Sequence, residues 1–469
     1  MDEQYNAPNR PANRRRNRRT PAQIFKEDQL PVIITGLTLL IILVFMIGAI
    51  SRGIQGLQYK KQLENEAIAA SQEAQAQMDA EADAILSQVS VLMAHFDYQG
   101  AIDLIDSFSG DIVNYPALSE KRAACESAAS QLVLWDNPAD ILSLSFQVLI
   151  ADPQRAFADP SYGASYNRNF ITTDEFQKIL QQLYENDYIL ISLDHISNGK
   201  QILPIYLPEG KKPLLLTQTN VNYYRYMVDS DGDMLPDKNG AGFASRLILD
   251  ANGNITCEMV DANGETITGS FDMVPILESF IETHPDFSYK GAKAILAVTG
   301  YDGIFGYRIS SSARAAMGEE HYTKEVSAAT AVVEKLRALG YNLACYTYEN
   351  EPYGSYSAAQ VSADLEKWDN EITPILGKTD IFVFSRDSDV ANPSMPYNDS
   401  RFDLIYSYGF TRYLGFCDAD QSWYYSNEGY FRIGRILVTG SNLAHHGIWF
   451  DGIIDPGTVL DPERGNIPA

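Results

Sequence analysis

The chain has 469 residues, 45% of them hydrophobic and 21% charged, enough to bury a sizeable core and to divide into two or three domains. Its formal net charge of -25 is unevenly spread: in the first thirty residues Arg10, Arg14, Arg15, Arg16, Arg18, Arg19 and Lys26 outnumber Asp2, Glu3, Glu27 and Asp28, and the remainder is strongly acidic. An acidic body repels nucleic-acid phosphates, which argues against DNA or RNA as a partner.

Residues 1–29, rich in Asn, Pro and Arg and without apolar periodicity, read as a disordered basic tail. Residues 30–50 carry no charge, and a helix of that length rises far enough to cross the ~30 Å hydrocarbon layer of a bilayer. Most of the basic residues precede this span, so the positive-inside bias predicts a cytoplasmic N-terminus and an extracytoplasmic body, held by a single-pass anchor in the cell membrane. The apolar run is longer than a signal-peptide core and no small-x-small cleavage site follows it. Residues 51–137 read as a helical stalk: residues 55–94 are rich in Ala, Gln and Glu without Pro, and Phe96 to Ile105 followed by Tyr115-Pro116 resembles one tetratricopeptide-type helical hairpin.

From Pro138 the pattern changes to short apolar runs alternating with amphipathic segments. Residues 141–150 read as a buried strand, Thr172-Thr173-Asp174-Glu175 as a capping box opening a helix, and residues 188–193, 214–217 and 294–299 as further strands. Val326, Ala329, Val332, Val333, Leu336 and Leu339 mark one helix face that ends at Gly340, and a strand over 342–346 follows. Ser357-Ala358-Ala359-Gln360 opens another helix before a strand over 380–384. Repeated strand and helix units predict an α/β fold with a parallel sheet or barrel over 138–460, whose chemistry would sit at the C-terminal ends of the strands. An insertion over about 227–270, with Asn252-Gly253 and Asn263-Gly264, reads as a β-hairpin excursion.

Within that insertion Asp229, Asp231, Asp233 and Asp237 stand at positions 1, 3, 5 and 9 around Gly232, the spacing of an oxygen-ligand calcium loop, with Gly240 where an EF-hand would have its bidentate Glu. Cys125, Cys257, Cys345 and Cys417 are widely spaced and show no C-x-x-C motif, so they read as isolated core thiols.

Lys212 to Thr217 followed by Val221-Asn222-Tyr223-Tyr224, then Tyr289-Lys290-Gly291-Ala292-Lys293, and Lys335 to Tyr341 leading into Ala344-Cys345-Tyr346, together resemble the polysaccharide deacetylases of the NodB-homology type, especially divergent membrane-anchored bacterial members. The resemblance implies a distorted (β/α) barrel and, in active members, metal-dependent hydrolysis of an acetyl group on a cell-wall or matrix glycan. It also implies which positions would carry that chemistry. The paired acids of the first motif fall on Thr219 and Asn220, the two imidazoles of the second on Tyr346 and Asn350, and the third motif on Ser385, Arg386 and Asp387. Gln147 stands where related chains often have His.

Neither Tyr346 nor Asn350 can replace a neutral imidazole on zinc, and Thr and Asn have no accessible pKa with which to act as a general base near neutrality. The expectation is a deacetylase-like protein without catalysis and without a cofactor at that site, binding cell-wall polysaccharide through Tyr223, Tyr224, Tyr346, Tyr348, Trp423 and Trp449. Two alternatives stand beside it. One is an active glycan deacetylase with a metal site relocated among Asp194, His195, Asp302, Glu349, Asp387, Asp389, His445 and His446. The other is a cell-envelope scaffold acting through protein partners.

Overall fold

The computed structural model describes residues 30–417 and 423–469; the basic tail at 1–29 lies outside the described residues. Leu30–Ala94 is one unbroken helix of 65 residues, so the apolar stretch and the Ala-, Gln- and Glu-rich stretch form a single element rather than two. No proline interrupts it after Pro31, and Ala, Leu, Gln and Glu are strong helix formers. Its apolar N-terminal part is long and apolar enough to cross a membrane, and Leu37, Leu40, Val44 and Ile47 are all exposed there. The chain divides into two compact units, one ending at Glu81 and the other running from Ala82 to Ala469.

The second unit begins with the last turns of the long helix, which bury Ala82, Ile85 and Val89 at helical spacing. Two short helices follow, Tyr98–Asp106 and Pro116–Ala129. Asp97 caps the first through the Gly100 N–H, and Arg122 of the second donates to Asp106 of the first at 2.7 Å. All four cysteines are buried, and no two of them are joined.

The body of this unit is a closed barrel of seven parallel strands: β1 Leu142–Phe146, β2 Lys212–Thr219, β3 Ile295–Val298, β4 Asn342–Cys345, β5 Ile381–Val383, β6 Arg412–Cys417 and β7 Phe431–Leu437. Each pairs with the next in chain order, and β7 closes on β1 with Ile436 opposite Leu144. Because the strands are parallel and sequential, all seven C-terminal ends open on one face. Side chains alternate between two cores. Leu215, Ile295, Ala297, Ala344, Tyr346, Val383, Leu414 and Ile433 join the inner one, while Leu144, Leu214, Leu296, Leu343, Phe382 and Tyr413 pack outward against the helices.

The strand expected over 141–150 ends at Phe146, and β6 and β7 are strands that the apolar pattern did not announce. Both capping boxes form, Thr172 with Glu175 and Ser357 with Gln360. Gly340 takes φ 94°, the left-handed conformation expected past a helix end. The insertion is a three-stranded antiparallel sheet, Arg246–Leu249, Ile255–Val260 and Thr266–Gly269, whose turns are built on Asp250 and Asp261.

Candidate functional site

The mouth of the barrel is formed by the segments that leave β2, β4 and β5. Six non-glycine residues there hold left-handed backbone: Asn220 (φ 58°), Tyr223 (φ 47°), Thr347 (φ 61°), Asn350 (φ 58°), Arg386 (φ 49°) and Asp387 (φ 52°). Such conformations cost about 1–3 kcal/mol each and cluster where a chain is held for function. Thr347 is the most strained of them, because a β-branched side chain fits that region poorly.

The structure brings together most of the positions that the sequence singled out. Thr219 donates to the Phe146 carbonyl at 3.2 Å and also meets the phenol of Tyr346. Asn220 donates to the Gln147 side chain at 3.2 Å and accepts from Tyr224 at 2.8 Å. Gln147 thus lies just past β1 and braces Asn220. Ser385 donates to the Glu351 carbonyl at 2.5 Å, Thr347 meets Ser385 at 3.4 Å, and Arg386 faces Glu351 at 3.9 Å. The buried Oδ1 of Asn350 finds no hydrogen-bond partner among the described residues.

At the centre of these groups is a residue that the sequence reading missed. Arg435, fully buried on the inward face of β7, donates to Ser145 Oγ at 3.2 Å and to the Phe384 carbonyl at 2.7 Å. Its guanidinium lies 3.8 Å from Asp387 and 5.9 Å from the Tyr346 ring centroid. Burial raises the pKa of the Asp387 carboxyl, and Arg435 opposes that rise. Burial likewise raises the Tyr346 phenol, with Arg435 the first opposing influence. The signal was there: Phe431, Ile433 and Arg435 share one parity, which points the arginine inward once the segment is read as a strand.

A zinc site does not fit these residues. The hydroxyl of Thr219 and the amide of Asn220 are committed to protein partners, Tyr346 is held towards its neutral form, and the group among them is a cation. The relocated candidates are occupied as well. Asp194 pairs with Arg412, the first residue of β6, at the opposite end of the barrel from the mouth. Asp302 pairs with Arg225 at 2.7 Å, Glu349 with Lys367 at 2.5 Å and Asp389 with Arg432 at 2.8 Å. His195 is packed near Tyr289, with burial lowering its pKa to about 4, and His445 is exposed at the end of a short, half-buried helix, where it meets the Ile467 carbonyl at 3.1 Å. Among the described residues, one group of three ligand-type side chains converges: Asp229, Asp231 and Asp237 offer carboxylate oxygens within 4.8 Å of one another. Asp233 is turned to the Leu235 N–H at 2.8 Å.

The aromatic candidates are placed differently from one another. Tyr223, Tyr224, Tyr346 and Tyr348 are buried: Tyr223 donates to Asp272 at 2.5 Å and Tyr348 to Glu371 at 2.5 Å. Trp423 is half-buried on the outer wall, where Gly415 and Gly434 leave room for its ring. Trp449 stacks on His446 at 4.5 Å. A tyrosine ladder that the sequence reading passed over runs out of the mouth. Tyr301 stacks on Tyr224 at 5.2 Å, Tyr224 on Tyr226 at 5.7 Å, and Tyr226 meets Tyr162 at 5.3 Å. Tyr226 and Tyr162 are each 45% exposed, and Tyr301 feels the charges of Asp302, Glu349 and Arg386.

No protein-family model and no curated protein matches the chain. Two similar solved structures are the Streptococcus pyogenes deacetylase PplD in complex with acetate and a de-N-acetylase from Aggregatibacter actinomycetemcomitans. The first is 13% identical with a TM-score of 0.35 over 66% of this chain and 98% of that one. The second is 12% identical with a TM-score of 0.34 over 64% of this chain and 95% of that one. At TM-scores of this size the likeness decides nothing about chemistry, which rests on the residues of this chain.

Proposed function

We propose that the barrel is a deacetylase-like domain that recognises a cell-wall glycan without cutting it, carried on the extracytoplasmic side of the membrane by the N-terminal helix. The observation that carries this reading is the charge at the mouth. Metal-assisted hydrolysis needs a cation held by neutral imidazoles and carboxylates, which lowers the pKa of bound water from ~15.7 to ~7. Here the positions that the resemblance assigns to those ligands are Thr219, Asn220, Tyr346 and Asn350, and a protein guanidinium stands beside them. A second cation next to Arg435 would be repelled. Asp387 is the carboxylate nearest that guanidinium, which opposes the pKa rise that burial imposes on it.

Recognition draws support from the tyrosine ladder. Exposed rings at Tyr226 and Tyr162 can cover the apolar face of a sugar, while Glu349, Glu351 and Arg386 bind hydroxyls at the rim. The test uses the full chain in detergent. Expected are zinc well below one per chain, no acetate released from acetylated peptidoglycan, and retention of the protein on purified peptidoglycan. Stoichiometric zinc together with acetate release would establish the relocated-metal alternative instead. Failure to be retained on glycan, with specific retention of an envelope protein, would establish the scaffold.

The aspartate-rich loop is proposed as a separate calcium site, on the convergence of Asp229, Asp231 and Asp237.

A further inference from the structure

Two buried arginines of this protein are treated in opposite ways. Arg464 spends all five of its N–H donors: on both oxygens of Glu175 at 2.5 and 2.6 Å, on the Asn167 backbone and side-chain oxygens at 2.7 and 3.0 Å, and on the Phe170 carbonyl at 2.7 Å. Arg435, equally buried, has two such bonds and a carboxylate outside hydrogen-bond range. Its Nε finds no partner among the described residues, and the same holds for Ser143 Oγ and Thr217 Oγ1.

These three atoms belong together. Leu437 on β7 lies opposite Ser145 on β1, which sets Arg435 beside Ser143, and Ser145 in turn lies opposite Thr217 on β2. All of them have inward parity, so three adjacent strands turn unpartnered donors into one part of the barrel interior. Water could complete the hydroxyls. It would leave the desolvated guanidinium with one charge partner, the Asp387 carboxylate, which at 3.8 Å makes no hydrogen bond to it, and a buried charge is costly unless it is both paired and hydrogen-bonded.

We propose that the barrel interior below the mouth is an anion site, in which Arg435, Ser143 and Thr217 hold one small monovalent anion of halide or carboxylate type. The site is the reverse in sign of a metal centre: the protein supplies the cation and the ligand supplies the negative charge. It does not depend on whether the mouth binds a glycan.

The test is thermal unfolding of the full chain in detergent at constant ionic strength, with bulky isethionate replaced stepwise by chloride or by acetate. The expected result is a saturable rise of a few degrees in the melting temperature with chloride, acetate or both, which disappears in Arg435→Gln. Should that variant fail to fold, Ser143→Ala with Thr217→Val keeps the guanidinium and is expected to weaken the apparent anion affinity at least threefold. No saturable response to either anion would overturn the proposal in favour of buried water. A response undiminished in the hydroxyl variant would overturn it too, by placing the anion elsewhere.

Discussion

The fate of single side chains in this barrel is decided by whether a buried charge has its partner. Arg432 shows the paired case: fully buried on the outward face of β7, it leaves its Nε without a partner among the described residues as Arg435 does, but it donates to Asp389 at 2.8 Å and lies over the Tyr397 ring at 4.0 Å. Removing one member of a buried ion pair costs about 3–5 kcal/mol, because the other is left desolvated and alone. Asp389→Asn is therefore expected to lower the urea midpoint by a corresponding amount, and a midpoint within error of wild type would show that the Met395 and Asn392 carbonyls hold the guanidinium unaided. At the rim, Tyr162→Ala with Tyr226→Ala removes two half-exposed rings that pack against the buried Tyr166 and Tyr224. It should weaken retention on peptidoglycan about tenfold, or ~1.4 kcal/mol, while the protein still unfolds in one cooperative transition.

At this scale the sequence was legible where a motif named a position. Thr219, Tyr346, Ser385 and Asp387 do meet at one mouth. Arg435 was not legible, because Phe431–Leu437 carries two arginines and a glycine and does not read as an apolar strand until its neighbours enclose it. Nor did the count of aromatic residues distinguish a packed ring such as Tyr223 from an exposed one such as Tyr226, since that depends on which face of a turn each occupies.

Among the elements, the insertion shows how a sheet is fastened to a barrel. Asp272, fully buried, accepts from the Leu149 N–H at 2.9 Å, from Gln218 at 2.7 Å and from Tyr223 at 2.5 Å, and so ties the end of the three-stranded sheet to β2. Burial raises its pKa to about 6, against the hydrogen bonds that lower it. An unfolded Asp titrates near ~3.9, so between about pH 4 and pH 6 the folded state holds a proton that the unfolded state has lost. Stability from this group is thus greatest below that window and falls as the pH rises through it, by about 3 kcal/mol in all. Asp272→Asn cannot ionise, so its stability relative to wild type should improve from pH 4.5 to pH 7 in urea titrations. A constant difference would show that the carboxyl titrates normally.

The loop that opens the insertion makes a separate prediction. Asp229 already accepts from the Gly232 and Met234 N–H groups, and Asp237 from Ser230, so the carboxylates are preorganised. Millimolar calcium is expected to raise the melting temperature, and Asp231→Ala to abolish that rise. No shift in wild type would remove the site. Elements with their own local signals were legible from sequence, as the two capping boxes and the Asn-Gly turns were. Strand ends were not, because they depend on pairing partners far away in the chain: β1 stops at Phe146, where its last partner on β2, Gln218, is reached.

For the whole molecule, the sequential closed barrel gathers its strand ends at one face, and the N-terminal helix is long and apolar enough to cross a membrane. The apolar stretch at residues 30–50 belongs to the first unit, and the barrel belongs to the second. The charges flanking the apolar stretch favour the basic tail on the cytoplasmic side, since Arg and Lys near a span resist translocation. The expected outcome is that the chain stays with membranes after carbonate extraction, and that protease added to intact cells removes an epitope tag at the C-terminus but spares one at the N-terminus. If the two tags exchange behaviour, the barrel faces the cytoplasm and a cell-wall glycan is excluded as its ligand. If deletion of residues 30–50 leaves the protein with membranes, the helix is not the anchor and attachment must come from the body itself.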